Sequence, residues 1–152
     1  MFGIVVFLCV VDANISSFCS TAIDNLATYM FLNANKDKPT PRSIRSHLKS
    51  EPTLLPMVMT TLMNQLLYAS HSNHWAVTRP ILSLILSQEG IFAEYEAQII
   101  SSQSSPENQA KLKEEFAKLV LDIQRSVDTL NRDRFTQKLT LFRLNVRQFL
   151  TL

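Results

Sequence analysis

The clearest hydrophobic period lies near the C-terminal end, in Asn131–Leu150, NRDRFTQKLTLFRLNVRQFL. Phe135, Leu139, Phe142, Val146 and Phe149 recur there at steps of four and three. Such spacing places them on one face of an α-helix. Asn131 stands where it would cap that helix, and Asp133 falls in the expected first turn, where a negative charge is favoured. Arg132, Arg134, Lys138, Arg143 and Arg147 make most of the remaining surface basic. The pattern predicts the last helix of a helical stack.

The same reading extends through the rest of the chain. Ile15–Asn33 carries Phe18, Ile23, Leu26, Tyr29, Met30 and Phe31 at broadly helical spacing, weakened at its start by serines and a threonine. Asn33–Ser50 breaks the pattern, because Pro39 and Pro41 disfavour a continuous helix, although a short helix fits around Ile44–Leu48. Pro52 or Pro56 opens the next helix. Its core face takes Leu55, Met59, Leu62 or Met63, and Leu66, while Met57 points elsewhere. Thr78 is expected to cap a following helix with Arg79 and Pro80 in its first turn. Ile81, Leu82, Leu84, Ile85 and Leu86 bury that helix on most sides and predict a central position. Gly90 is expected to relieve its end in a left-handed conformation. Phe92, Tyr95, Ile99 and Ile100 define another short helix, and Ser101–Ser105 a loop. Ser105, Pro106 and Glu107 read as a cap, a proline and a favourable first-turn charge. Leu112, Phe116, Leu119, Val120, Ile123, Val127 and Leu130 mark one long amphipathic helix, with Glu114 and Glu115 paired to Lys118.

These elements predict an all-α fold of antiparallel helical hairpins over residues 1–152, with an irregular basic connection near 34–51. Helix pairs of this length fit a HEAT-like α-solenoid or an irregular bundle. The repetition is too poor for periodicity alone to establish HEAT repeats.

Composition narrows the classes of function. The chain has 152 residues and only 2 Gly, with 46% hydrophobic, which argues against a glycine-rich nucleotide-binding α/β fold. A net charge of +2 does not by itself imply nucleic acid or an anionic membrane. Cys9 and Cys19 form neither a disulfide framework nor a metal pattern, and point to a reducing, intracellular compartment. The apolar run in MFGIVVFLCVV is too short to span a bilayer. It suits a buried helix that lacks an upstream packing partner, or else a signal or membrane-associated segment, although no Lys or Arg precedes it. Left uncovered, it is a candidate for self-association.

Candidate chemistry is sparse. His71 and His74 lack further ligands for a metal, and Trp75 beside them suits an anchor for the turn. Met57, Met59 and Met63 suit core filling better than a peptide groove. Serines and threonines are plentiful but lack a base and an oxyanion arrangement, so no enzyme and no cofactor is expected. The basic patch of Lys36, Lys38, Arg42, Arg45 and Lys49 has no interleaved aromatic to stack bases, which argues against nucleic acid.

Three strings carry a more specific signal: NHWAVTRPILSLILSQEGIF (Asn73–Phe92), IISSQSSPENQ (Ile99–Gln109) and NRDRFTQKLTLFRLNV (Asn131–Val146). Together they resemble the C-terminal end of the exportin-7 family of Ran-binding nuclear transport receptors, within the importin-β-like superfamily. The resemblance implies the C-terminal end of a longer HEAT-repeat superhelix. It implies a parent that binds RanGTP and folded protein cargo, meets nuclear pore proteins, and shuttles between nucleus and cytoplasm. The family's principal RanGTP contacts lie in an N-terminal arch with no counterpart here, so no Ran-binding residue carries over. Arg42, Arg45, Lys49, Arg132, Arg134, Arg143 and Arg147 are the candidate protein-interaction residues, set against a plainly solvated helix face. Arg79 suits either a partner or the Trp75 turn. The competing expectation is a stand-alone helical scaffold that binds or dimerises through an unpaired terminal face.

Overall fold

A computed structural model describes residues 13–34, 42–68 and 75–150. Their elements are α1 (Ala13–Asn33), α2 (Arg42–Ser50), α3 (Leu54–Tyr68), α4 (Trp75–Ser87), α5 (Glu89–Ser102), α6 (Pro106–Val120) and α7 (Thr129–Val146). They form an all-α structure of stacked antiparallel helix pairs in a HEAT-like solenoid arrangement. Cys9, His71 and His74, Lys36, Lys38 and both prolines of the basic connection lie outside the described residues, as does the side chain of Trp75.

The centre of the molecule is α4, which packs on α1, α3, α5 and α7. Val77, Ile81, Leu82, Leu84 and Leu86 are buried, so apolar side chains leave this helix in nearly every direction. The central position expected from its run of apolar residues is therefore the observed one. On α3, Leu54, Val58, Met59, Leu62, Met63, Leu66 and Leu67 are buried, while Met57 is exposed. The two buried methionines fill core space, as their spacing predicts. On α7, Phe135, Leu139, Phe142 and Val146 are buried, and Phe149 packs on the same core. Phe116 of α6 stands among Phe92, Tyr95 and Phe142, with ring centroids 5.7, 6.3 and 4.8 Å away. Those rings join α5, α6 and α7 into one aromatic cluster.

Several local features differ from the sequence expectation. One continuous amphipathic helix does not run from Pro106 to Leu130. α6 ends at Val120, and Asp122 takes a positive φ of 60°. Ile123 and Val127 still pack on the core, but from an irregular stretch. Asn131 explains its stability. Its side-chain amide donates to the carbonyls of Gln124 (2.8 Å) and Ser126 (2.6 Å), and its oxygen accepts from the Gln124 N–H (3.3 Å). The cap of α7 is therefore Asp128, whose carboxylate accepts from the Asn131 N–H at 2.8 Å. Asn131 is buried as the clasp of the loop, and Asp133 lies in the second turn.

α4 begins at Trp75, ahead of the expected cap. Thr78 is buried, and the hydroxyl of Thr136 donates to it at 3.2 Å, tying α7 to α4. Pro80 therefore sits inside the helix and removes one N–H, the one that would meet the Ala76 carbonyl. Gly90 is not left-handed. The chain turns at Gln88 (φ −148°), and Gly90 lies in the first turn of α5. α5 itself continues to Ser102, which shortens the expected loop. Ser105 caps α6 through its side chain, with Pro106 and Glu107 in the first turn, as predicted.

Candidate partner-binding surfaces

α1 has only one charged residue, Asp24, and it points inward. Arg132 of α7 meets it with Nη1 at 3.1 and 2.9 Å from the two carboxylate oxygens. The Arg132 Nη2 donates to Thr28 at 3.1 Å, and its Nε donates to the Val127 carbonyl at 2.8 Å. The Ser83 hydroxyl of α4 also donates to Asp24. Both charged side chains are only 14% exposed. A guanidinium suits this place because its fixed fork of donors satisfies a carboxylate, a hydroxyl and a carbonyl at once. Arg132 therefore ties α1, α4 and α7 together from within.

The other candidate cations divide by environment. Arg143 is half-buried, and its Nε donates to the Leu66 carbonyl of α3 at 2.7 Å. Burial first, and then the neighbouring charge of Arg147, hold its pKa below the ordinary arginine value. Arg134 is exposed on α7, Arg147 is exposed at the C-cap of α7, and Lys49 is exposed on α2. Arg42 and Arg45 lie on the α2 backbone, but their side chains fall outside the described residues. Thus Arg132, Arg134 and Arg143 share one helix with Arg147 at its C-cap, while Lys49 belongs to a separate surface. Arg79 is exposed on α4. Glu114 and Glu115 both pair with Lys118 at 2.8 Å.

Two apolar features were not read as surfaces from the sequence. Phe18, Leu26, Tyr29 and Leu32 are exposed along α1. Their positions fall within one side of the helix, opposite the row that packs on α4. Beside it, an apolar groove of about 380 Å³ runs between α1, α2 and α3, lined by Ile23, Leu26, Met30, Leu48 and Leu55 among others. The signal in the sequence was the near absence of charge from a helix of 21 residues. Among the described residues no group of three His, Cys, Asp or Glu is placed to hold a metal ion. No helix among them is long and apolar enough to cross a membrane.

The geometry defines a class first: a stacked-helix protein whose features are surfaces and internal ties. Sequence comparison then adds a lineage. The chain is 33% identical over 153 residues to human Ran-binding protein 17, covering 94% of this chain and 14% of that protein. It is 31% identical over 147 residues to Xenopus laevis exportin-7-B, covering 91% and 13%. Dictyostelium discoideum exportin-7 is 22% identical over 139 residues, covering 90% and 14%. The chain spans about 14% of the length of the first of these curated relatives. No family model matches it, and no solved structure matches it. This distant homology supports membership of the importin-β superfamily. The relatives' names describe Ran binding and export, neither of which is catalysis, and on that homology the chain is a non-enzymatic protein.

Proposed function

We propose that this chain is a C-terminal segment of a nuclear transport receptor whose full-length form binds RanGTP and exports folded protein cargo. The observation that carries this reading is the match to human Ran-binding protein 17 along 94% of the chain, together with a stacked-helix fold. In this role the segment supplies a stiff end to a helical array, since each helix pair in such an array packs mainly on its neighbours. The full-length receptor meets nuclear pore proteins and shuttles between nucleus and cytoplasm. Lys49, Arg134 and Arg147 are the exposed cations assigned to partner contact, with Arg42 and Arg45 assigned on sequence alone. Arg132 and Arg143 contribute by holding the helices that present them.

The test is a pull-down from nuclear extract with and without Ran loaded with non-hydrolysable GTP. This chain and a full-length receptor containing it are compared. Ran-dependent cargo capture by the full-length receptor is expected. Its absence there overturns the transport reading.

A second reading is a stand-alone helical scaffold, favoured by the exposed apolar row Phe18, Leu26, Tyr29 and Leu32 on α1. Size-exclusion chromatography with light scattering checks it. A dimer that Tyr29→Glu converts to a monomer supports this reading, and a monodisperse parent monomer removes it.

A further inference from the structure

Among the described residues, α2 is the helix with no buried side chain. It has nine residues. Ile44 and Leu48, four apart and so on one side, are half-buried and reach the apolar groove between α1 and α3. Ser46, His47, Lys49 and Ser50 are exposed. A helix this short is marginal by itself, and few buried contacts mean a low cost of local opening.

The groove beneath α2 is not filled. About 380 Å³ stays open against Ile23, Leu26 and Met30 of α1 and Leu54, Leu55 and Val58 of α3. A second hollow of about 410 Å³ adjoins it, sharing Met30, Leu48 and Leu55. The charges lining the two hollows separate by element. His47 and Lys49 belong to α2, which also contains Arg42 and Arg45 and no acidic residue. The carboxylates, Glu51 and Glu94, are exposed on the rim and lie outside α2. Glu51 stays with α3, because the Leu54 N–H donates to its carbonyl at 3.1 Å. The seated helix is thus basic and amphipathic, and the fixed rim is acidic. When α2 lifts away, its cations leave with it and the two carboxylates remain.

We propose that α2 is a displaceable strap, and that the groove it covers takes a basic amphipathic helix of a partner protein in its place. The partner's aliphatic side chains, three and four residues apart, enter the groove between Ile23, Leu26 and Leu55. Its Lys or Arg residues meet Glu51 and Glu94. A helix of four turns fills more of the groove than Ile44 and Leu48 do, which lets it compete with a segment of the same chain. Docking here needs neither Ran nor cargo, so it and the transport reading can fail separately.

The probe is a labelled synthetic peptide of four helical turns, with leucines along one side and lysines elsewhere. Its controls are the same composition scrambled and a version with glutamate in place of each lysine. Binding to the full chain is followed by fluorescence anisotropy at low and high salt, and by hydrogen exchange. The basic amphipathic peptide is expected to bind better than both controls, and more weakly as salt rises. In the free chain the α2 amides should exchange faster than those of α4, and they should lose protection as the peptide binds. The pair Ile44→Ser and Leu48→Ser opens the strap and is expected to tighten binding by roughly tenfold. Leu26→Lys places a cation in the groove and is expected to weaken binding by roughly tenfold or more. The pair Glu51→Lys and Glu94→Lys is expected to remove the salt dependence and to shift the preference to the glutamate peptide. Leu26, Glu51 and Glu94 are exposed, so circular dichroism of those variants should match the parent. Lys113→Glu on α6 serves as the unaffected control. Equal binding of the scrambled peptide reduces the effect to charge, and equal binding of the glutamate peptide reduces it to hydrophobicity. Either result overturns the proposal. Peptide binding that leaves α2 protected, or unchanged affinity in the strap and groove variants, overturns it as well.

Discussion

Arg132→Met tests whether the residue is an internal strut. Methionine keeps much of the stem packing but removes four donated hydrogen bonds, at 3.1, 2.9, 2.8 and 3.1 Å. Asp24 is then left with hydroxyl partners alone. An exposed ion pair contributes roughly 0–1 kcal/mol, whereas breaking a buried one costs roughly 3–5 kcal/mol. With both partners 14% exposed, the pair falls towards the buried limit. The expected loss is about 3 kcal/mol. With a urea slope of about 2 kcal/mol per molar, the unfolding midpoint should fall by about 1.5 M. Asp24→Asn completes a double-mutant cycle, because it removes the partner charge while keeping a polar side chain. The two changes together should cost about 2 kcal/mol less than the sum of the singles. The assay is urea unfolding followed by helical circular dichroism. A midpoint shift below about 0.3 M for Arg132→Met, or additive single changes, refutes the reasoning. Arg132 would then behave as a solvated cation.

Phe116→Ala removes the ring at the meeting of Phe92, Tyr95 and Phe142. It should cost about 3–5 kcal/mol in denaturant unfolding, and a loss under about 1 kcal/mol contradicts the assigned packing. Gly90→Ala should stabilise by up to about 1 kcal/mol, because its φ is not positive and an added Cβ meets nothing within 4 Å. A lower melting temperature for that variant contradicts the helical first turn of α5. The Ser126 hydroxyl first, and then the Asn131 N–H, hold the Asp128 carboxyl below its ordinary pKa. A depressed carboxyl contributes stability that is complete above its unfolded value of about 3.9 and is lost as pH falls through the folded value. A carboxyl NMR titration should place Asp128 below the ordinary range. Asp128→Asn should flatten this part of the acid limb of stability, and an unshifted titration counts against the cap.

The helical periods were legible wherever packing and spacing agreed. Phe135, Leu139, Phe142 and Val146 are one example, and the Ser105–Pro106–Glu107 start of α6 is another. The end of α6 was not legible. Ile123 and Val127 satisfy a helical period, yet an irregular backbone brings them to the same core. The deciding group is the Asn131 side chain, which supplies the hydrogen bonds that the loop would otherwise lack. Thr78 shows the reverse confusion, because a polar residue ahead of Arg-Pro resembles a cap until Thr136 is found beside it. For the candidate surfaces, local sequence revealed the basic row of α7 but not its division. Arg132 and Arg143 are engaged inside by Asp24 and Leu66, partners too distant in sequence for periodicity to locate. The lone charge in α1 was the one available hint.

The link between Asp24 and Arg132 also governs how the chain folds. It closes a separation of 108 residues, whereas neighbouring helix pairs form from nearby segments. Closing so long a loop has an entropic cost, so the link should form late, after α3 to α7 have provided a platform. During synthesis, α1 emerges long before the arginine that completes it. Its uncharged outer side and its unpaired aspartate therefore coexist on the ribosome until α7 arrives. A nascent chain stopped before Arg132 is the species in which this protein is most exposed to aggregation and to chaperone capture.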